Sequence, residues 1–288
     1  MSHVPVLLHE SIDGLSIKKG DTFVDATLGA GGHSSSVAKA FGDSISMIGF
    51  DLDHKAIELA RQTVTNAGGT ITPINANFRH MDAHIKEADK ILFDLGVSSM
   101  EFGKSGRGFT FTHDEPLLMT LASKLDADTL TAGDIVNSTR EEELADIIYR
   151  YGEERFSRKI AKAIVEARKK KRIETSGELA KIVESVIPRR GRIHPATKTF
   201  QAIRIATNDE LGALTDGLMA AWKILKPHGR IAVITFHSLE DRIVKNLFKE
   251  LAKEHGILIT KKPIVPSRTE ITTNPRARSA KLRIIEKK

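Results

Sequence analysis

The sequence predicts an α/β domain that is interrupted by an all-helical insertion. Strand-like and helix-like segments alternate over about the first 100 residues. From about residue 116 to residue 205 only helical patterns occur, and strand-like segments return at residue 230. The alternation is typical of a parallel sheet flanked by helices, and the uninterrupted helical stretch indicates a separate unit.

The first part of the chain contains four strand-like segments with helices between them. The strand-like segments are DTFVDAT (21–27), SISMIGFD (44–51), GTITPIN (69–75) and KILFDLGV (90–97). Helices are predicted at 34–41 and 53–66, and Asp53 is the expected N-cap of the second. Residues 98–112 are rich in glycine and serine and are predicted to form a loop.

Capping patterns mark the helices of the insertion. Thr139 and Glu142 fit a capping box, in which a hydroxyl and a carboxylate satisfy free N–H groups at the start of a helix. Thr175 and Glu178 fit a second capping box. The other helical segments of this part are 156–169 and 197–226.

The strand pattern returns in the last part of the chain. RIAVITFHS (230–238) has the length and apolar character of a strand, and Ser238 with Asp241 resembles a helix cap after it. GILIT (256–260) and AKLRIIE (280–286) are predicted to pair with each other. The predicted boundaries are 1–104 and 206–288 for the α/β domain and 105–205 for the helical insertion.

Composition excludes several classes of protein. The chain contains no cysteine, so it can form neither disulfides nor thiolate sites for metals or for nucleophilic catalysis. No stretch approaches the ~20 apolar residues of a membrane span. The sequence therefore predicts a cytoplasmic protein with no membrane partner and no metal site.

The net charge of +7 is unevenly distributed. Residues 155–204 contain 15 Lys and Arg against 4 Asp and Glu, and residues 261–288 contain 9 against 2. The rest of the chain is acidic. Basic segments on an acidic body favour a polyanionic partner, most simply a nucleic acid, although solvated helix faces have the same composition.

A glycine-rich loop follows the first strand-like segment in DATLGAGGHS (25–34). Gly29 and Gly31 begin like a dinucleotide fingerprint, but Ser34 occupies the place of its third glycine. The phosphate-binding pattern GxxxxGK[ST] is also absent, and the loop contains no lysine. The loop is therefore predicted to hold a ligand other than a triphosphate.

Three aspartates accompany this loop. Asp25 precedes it, while Asp51 and Asp94 follow later strand-like segments. A carboxylate at Asp51 suits the ribose hydroxyls of either NAD or S-adenosylmethionine (SAM). Asp25 suits the ammonium of SAM, which has no phosphate that needs a helix N-terminus. Asp94 suits the adenine or an incoming amine, and the alternative for each aspartate is an ordinary strand-end carboxylate.

Several long motifs now carry a resemblance to a known family. They are HVPVLLHE (3–10), DATLGAGGHS (25–34), DLGVSS (94–99), RGFTF (107–111), YGEERF (151–156), HPATKTFQAIRI (194–205), TFHSLEDRIVK (235–245) and NPRARSAKLRI (274–284). In this order they resemble the bacterial 16S ribosomal RNA cytosine-N4 methyltransferase family over nearly the whole chain. The resemblance implies a Rossmann-like SAM-dependent methyltransferase domain with an inserted helical domain, and N4-methylation of one cytidine in the decoding region of the small ribosomal subunit.

The resemblance also implies which residues contact SAM. Together with Asp25 and Gly29, the implied cofactor-binding residues are Gly31, Gly32, His33, Asp51, Phe78, Asp94 and Glu101. The sequence departs from the family pattern at Glu101, where glutamine is usual. It also departs at Leu118 and Thr120, where the family typically has aspartate and arginine.

Cytosine N4 is a poor nucleophile because its lone pair is delocalised into the ring. Methyl transfer to it requires alignment with the S–CH3 bond and acceptors for its N–H groups, and the base must leave its stack. The candidate catalytic residues are Asp94, Ser98 and His237. C5 methylation generally uses a thiolate, so the absence of cysteine favours N-methylation of a cytosine.

Basic residues of the insertion and of the C-terminal part are the candidates for RNA binding. They are Arg168, Lys169, Lys170, Lys171, Arg172, Arg190, His194, Lys198, Arg276 and Arg278. Phe109 and Phe111 are candidate stacking residues, with packing inside the insertion as the alternative. The expected partner is 16S rRNA or the small subunit, and a homodimer is possible. The rival functions are an NAD-dependent oxidoreductase and a non-catalytic ribosome-assembly factor.

Overall fold

A computed structural model describes residues 5–96, 106–122, 125–126, 128–187 and 194–288. The chain divides into two compact units. The sheet unit comprises the described residues up to Gly96 together with Leu211–Lys288, and the helical unit comprises those between 97 and 210. Across the described ranges, no helix combines the length and the apolar character that crossing a bilayer requires.

In the described part of the sheet unit, seven strands form one sheet in the order β3-β2-β1-β4-β5-β7-β6. The strands are β1 (Thr22–Asp25), β2 (Ser46–Asp51), β3 (Thr72–Asn75), β4 (Ala88–Asp94), β5 (Leu225–Thr235), β6 (Gly256–Leu258) and β7 (Lys281–Lys287). Strands β1 to β5 are parallel, and β7 pairs antiparallel with both β5 and β6. The strand order reverses between β1 and β4, as in doubly wound α/β folds, so the predicted α/β class and the predicted pairing of the last two strands are confirmed.

Helices of the sheet unit flank this sheet, and the remaining helices build the helical unit. Among the described residues, the α-helices are α1 (Leu8–Leu15), α2 (Gly32–Phe41), α3 (His54–Asn66), α4 (Met81–His84), α5 (Ala132–Ser138), α6 (Glu141–Gly152), α7 (Ser157–Lys170), α8 (Ser176–Val186), α9 (Thr197–Asn208), α10 (Glu210–Ile224), α11 (Ser238–Glu254) and α12 (Arg268–Thr273).

The central strands are buried on both faces. Along β1, Phe23 belongs to one hydrophobic core and Val24 to the other. Along β4 and β5, Leu92 and Ile234 join the first core while Phe93 joins the second. Successive side chains of a strand point to opposite faces, so two-sided burial requires unbroken apolar runs, which is the pattern that the sequence shows.

The first predicted helix cap of the insertion lies elsewhere. The capping box at Thr139 and Glu142 is wrong, because Thr139 follows the end of α5 and α6 begins without a side-chain cap. The box belongs to α5 instead. Thr131 Oγ1 accepts from the Asp134 N–H, and the Asp134 carboxylate accepts from the Thr131 N–H. The usual pattern has Glu or Gln at this third position, so the aspartate hid the cap.

The second predicted cap is confirmed, whereas the predicted long helical region is divided into two helices. The capping box at Thr175 and Glu178 is confirmed at the start of α8. The predicted helical region 197–226 is two helices, α9 and α10, separated at Asp209. The backbone of Asp209 is left-handed, with φ 47°. This conformation costs a non-glycine residue roughly 1–2 kcal/mol and stops the helix, which helical periodicity alone does not reveal.

Candidate functional site

Three of the predicted site residues stand at the carboxyl edge of the sheet. Asp25, Asp51 and Asp94 are the last residues of β1, β2 and β4. Because these strands are parallel neighbours, their ends meet at the same edge. The chain order reverses between β1 and β4, and open α/β sheets bind ligands in the crevice at such a point. The sheet therefore brings the three aspartates together where a ligand is expected.

The glycine loop connects β1 to α2 and closes against β2. The Gly29 N–H donates to Asp51 Oδ2 at 2.8 Å, and Gly32 is the first residue of α2. Gly29 and Gly31 have φ values of 50° and 77°. A Cβ added to Gly31 would lie 3.0 Å from the Cα of Ala60 in α3. The loop thus needs glycine at position 31 both for its backbone conformation and for its close approach to α3.

Replacing Gly31 with alanine is expected to lower the free energy of unfolding by more than the roughly 1–2 kcal/mol of a left-handed alanine. The excess arises because the new methyl group meets the Ala60 backbone. Gly68→Ala is the matched control, since Gly68 has φ 87° and open space around the added Cβ. Denaturant unfolding of both variants measures the difference, and equal losses would contradict the close approach.

Asp51 is held in a fixed orientation by backbone N–H groups. Its Oδ2 accepts from Gly29, and its Oδ1 accepts from Asp53 at 2.8 Å. Burial raises the pKa of Asp51 above its ordinary value. Each carboxylate oxygen has two lone pairs, so both can still accept from hydroxyl groups. Asp53 in turn accepts from the Lys55 N–H at 2.9 Å, which confirms it as the N-cap of α3.

Asp25 is buried, with 2% of its surface exposed. Ser34 Oγ donates to its Oδ2 at 2.6 Å, and the Thr27 N–H reaches its Oδ1 at 3.3 Å. Desolvation raises the pKa of Asp25 to about 6, and the charge of Asp51 adds to the rise. Ser34 therefore has a role that sequence reasoning missed: the residue in place of a fingerprint glycine is fully buried and donates to the site aspartate.

Asp94, which is partly buried, forms a pair with the buried His33. His33 Nδ1 lies 3.5 Å from Asp94 Oδ2, and His33 Nε2 lies 3.1 Å from the carbonyl oxygen of Val6. A carbonyl only accepts, so Nε2 carries a hydrogen, and a neutral ring then turns an unprotonated Nδ1 toward the carboxyl group. The structure thus brings together two residues that the sequence predicts individually as contacts of the cofactor.

The Asp94 carboxyl group has an unusual environment. Burial raises its pKa well above the ordinary value, and the charges of Asp25 and Glu240 raise it further. Its backbone N–H donates to Thr27 Oγ1 at 2.6 Å, which fixes the end of β4. Oδ1 is buried and has no hydrogen-bond partner in the described ranges. Buried acceptors are rarely left unsatisfied, so Oδ1 is suited to receive a donor from a ligand.

Phe78 lies in a short 3₁₀ helix after β3 and is partly buried. Its ring packs edge-to-face on Phe93 of β4, with centroids 5.5 Å apart. A Cβ added to Gly217 would lie 2.5 Å from the ring, so α10 approaches the ring closely at a glycine. The structure holds the ring in place, and its contact with an adenine stays a prediction.

His237 has a structural role in the observed fold. It is the N-cap of α11: its Nδ1 accepts from the Glu240 N–H at 3.3 Å, while Glu240 Oε2 accepts from the His237 N–H at 3.2 Å. The predicted cap at Ser238 and Asp241 is therefore wrong by one residue, because a histidine nitrogen replaces the usual hydroxyl. Among the other candidates, Ser98 and Glu101 lie outside the described residues.

The basic run from Arg168 to Arg172 is largely engaged within the helical unit. The Arg168 guanidinium donates to the carbonyl oxygens of Val136 and Thr139, each at 2.7 Å, and so satisfies the end of α5. The other pairs are Lys169 with Glu166 (2.8 Å), Lys171 with Glu178 (2.7 Å) and Arg172 with Asp134 (3.5 Å). Lys170 is exposed. The sequence groups these five residues together as candidates for RNA binding, whereas in the structure most of them are engaged within the helical unit.

Arg168→Ala is expected to lower the free energy of unfolding by roughly 1–3 kcal/mol, because two carbonyl groups, one in α5 and one just after it, lose their donor. Lys170→Ala, two residues away, is the control and is expected to change stability by less than about 0.5 kcal/mol. Denaturant unfolding followed by circular dichroism measures both variants. Equal stabilities would show that Arg168 does not support α5.

The remaining candidates for RNA binding are partly engaged in packing and hydrogen bonds and partly exposed. His194 stacks on Phe111 with centroids 4.2 Å apart, and Lys198 Nζ donates to the carbonyl oxygen of Glu153 at 2.9 Å. Phe111 also meets Phe200 edge-to-face, and Phe109 is buried. Packing inside the helical unit therefore accounts for both phenylalanines. Arg276 and Arg278 are exposed on the sheet unit, and Arg190 lies outside the described residues.

Comparison with known proteins shows which family the chain belongs to. A family model described as the MraW methylase family matches residues 1–288. Ribosomal RNA small subunit methyltransferase H of Paenibacillus sp. (strain JDR-2) is 44% identical over 315 residues, covering 99% of each chain. The protein of the same name from Brevibacillus brevis is 43% identical over 309 residues, covering 99% of this chain and 98% of the relative.

Solved structures also resemble the chain, at low sequence identity. The structure titled PH0851 gives a TM-score of 0.50 at 14% identity, covering 99% of this chain and 46% of its own. A putative rRNA-methylase from Clostridium thermocellum gives a TM-score of 0.49 at 16% identity, covering 100% of both chains. The likeness to PH0851 concerns the fold alone, whereas the family model and the relatives extend over essentially the whole sequence. The chain belongs to the MraW methylase family.

Proposed function

We propose that this chain transfers a methyl group from SAM to the exocyclic N4 of one cytidine in the decoding region of 16S rRNA. The observation that carries the proposal is the cluster of Asp25, Asp51 and Asp94 at the switch point of the sheet. This cluster occurs in a methylase-family chain whose relatives are named as methyltransferases of small-subunit rRNA. Those names leave the modified atom open, and the N4 position rests on the resemblance of motifs and on the chemistry below.

The charge of the crevice fits SAM better than a dinucleotide. Three carboxyl groups meet there, and the loop over 25–34 contains neither lysine nor arginine. SAM carries a sulfonium and an ammonium group, whereas NAD carries two phosphates that this crevice would repel. When bound, SAM supplies an electrophilic methyl group. In the proposal Asp51 accepts from the ribose hydroxyls, Asp25 faces the ammonium, Phe78 packs on the adenine, and Gly29, Gly31 and Gly32 allow the close approach.

Asp94 is the proposed acceptor for the N4 amine. Its buried Oδ1 lacks a partner among the described residues and can accept an N–H of the exocyclic amine. A carboxyl group with a raised pKa is a stronger base than an ordinary aspartate, which suits the uptake of the proton that N4 loses. His33 positions the carboxyl group through Oδ2. Ser98 stays a candidate for orienting the amine, and His237 is assigned to the helix cap.

The helical unit is the proposed RNA-binding insertion. Cations on the exposed side of α7 and just before it carry no ion pair in the described part of the chain, unlike most of the 168–172 run. They are Arg155, Arg158, Lys159, Lys162 and Lys170. Two of them, Arg158 and Lys159, lie in the first turn of the helix, where the dipole disfavours positive charge. Unpaired cations of this kind suit phosphate contacts, which position RNA without reading its sequence.

The direct test supplies the purified protein and methyl-labelled SAM to small subunits from a strain that lacks the enzyme. Label in 16S rRNA that is recovered as N4-methylcytidine supports the proposal, and label at C5 contradicts the N4 assignment. Binding of SAM and small subunits without transfer would favour the assembly-factor alternative. Calorimetric titration with SAM and with NADH tests the oxidoreductase alternative, which requires tight binding of NADH and no binding of SAM.

A further inference from the structure

A second cationic feature lies on the sheet unit, apart from the three aspartates. A small cleft between α11 and the β6–β7 edge is lined by Lys245 and Lys249 of α11, by Thr260 and Lys261 just after β6, and by Arg283 of β7. Phe248 and Leu258 supply its apolar lining. No carboxylate belongs to this lining, so cations from three segments of the chain converge on one concave point.

The charges of this cleft are not neutralised within the described part of the chain. The ammonium groups of Lys245, Lys249 and Lys261 make no ion pair there. Arg283 is the exception, since its Nε donates to Asp241 Oδ1 at 2.7 Å. Asp241 also accepts from Lys281 at 3.1 Å, so this one nearby carboxylate is already matched by two cations. The cleft therefore retains a surplus of positive charge.

The arrangement is unfavourable without an anion. Lys245 and Lys249 are four residues apart on α11, a spacing at which like charges on a helix repel each other. Thr260 Oγ1 accepts from the Ile284 N–H at 2.9 Å, which leaves its own hydroxyl hydrogen available to donate. Ammonium groups and a hydroxyl donor converging on one point match the acceptor oxygens of a compact anion.

We propose that this cleft binds a backbone phosphate of the RNA substrate and so gives the sheet unit its own RNA contact. The inference rests on the proposed function for the identity of the substrate. RNA is favoured over an acidic protein segment because the cations converge on a small cleft, whereas an extended peptide needs a groove with spaced donors. The contact anchors the substrate without reading its sequence, because phosphates are common to all nucleotides.

The test replaces the two exposed lysines, in the double variant Lys249→Gln with Lys261→Gln. The control is Lys18→Gln with Lys19→Gln, which removes the same charge from exposed lysines that precede β1, an interior strand of the sheet. Binding to transcribed 16S rRNA is measured over a series of salt concentrations. The cleft variant is expected to bind roughly tenfold more weakly at ~0.1 M salt, with a salt slope reduced by about one to two. The control and the affinity for SAM are expected to match the wild type.

Each outcome decides the proposal. Equal RNA affinity and salt slope in the cleft variant and the control would overturn it. A loss of binding to intact small subunits without a loss for the naked transcript would also overturn it, because it would indicate an acidic protein partner. A triple variant that adds Lys245→Gln is expected to extend the loss. If the wild type transfers no label to rRNA, the proposed function fails, while the binding series still reports on the cleft.

Discussion

Replacing Asp94 with asparagine is expected to slow methyl transfer by roughly 10²–10⁴-fold, the range for removing a general base. Asparagine keeps the size of the side chain and can still accept a hydrogen bond, but it cannot take up the proton that N4 loses. Affinity for SAM is expected to stay within about tenfold of the wild type. Single-turnover transfer to small subunits measures the rate separately from binding.

The pH dependence makes this prediction specific to proton transfer. Because burial and neighbouring carboxylates raise the pKa of Asp94, the wild-type rate is expected to rise with pH through a value well above that of an ordinary aspartate. The variant is expected to lose this rise. Asp53→Asn is the control, since asparagine also caps helices well and the change leaves Asp94 intact. A full rate in Asp94→Asn would show that another group takes the proton.

Sequence reasoning predicted the sheet and the three aspartates because both follow from local rules. Alternating strands and helices imply parallel strands, and parallel strands bring their carboxyl ends to one edge. Asp25, Asp51 and Asp94 can therefore be grouped from the sequence alone. Their protonation behaviour cannot be predicted in this way, because the raised pKa values depend on burial and on distances between residues remote in sequence.

Other parts of the site depend on pairings that no local pattern encodes. The Ser34 hydroxyl donates a hydrogen bond to Asp25, nine positions away. The Thr27 hydroxyl accepts one from the backbone N–H of Asp94, on the strand next to β1. Arg168 satisfies α5 from about thirty residues away, so composition alone placed it with RNA-binding cations. His237 caps a helix with a nitrogen, although hydroxyls and carboxylates are the usual signal. In each case the side chain has a hydrogen-bond partner that the sequence pattern does not specify.

Replacing Asp25 with asparagine is expected to stabilise the cofactor-free protein while weakening its affinity for SAM. The fold raises the pKa of Asp25 from 3.8 to about 6, so the folded state disfavours the charged carboxylate. That rise corresponds to roughly 3 kcal/mol at most. Asparagine offers one acceptor oxygen instead of two, so either Ser34 Oγ or the Thr27 N–H loses its partner. A net gain of about 1–2 kcal/mol is expected at pH 8.

The sign of the pH dependence follows from proton binding. Between about pH 4 and pH 6 the folded wild type holds the Asp25 proton while the unfolded chain has released it, so wild-type stability falls as pH rises through this window. The advantage of the variant is therefore complete above about pH 6 and disappears below about pH 4. Denaturant unfolding at pH 4.5 and pH 8 measures it. Asp43→Asn, at an exposed position, is the control and is expected to show no such dependence.

Affinity for SAM should change in the opposite direction. If Asp25 faces the ammonium group, loss of its charge is expected to weaken binding by roughly 5- to 150-fold, or about 1–3 kcal/mol. Binding sites are often less stable than they could be, because they hold a buried charge whose counter-charge is supplied only by the ligand. A variant that is more stable than the wild type and binds SAM with equal affinity would show that Asp25 does not contact the cofactor. A variant that is less stable at pH 8 would instead show that the hydrogen bonds of Asp25 outweigh its desolvation.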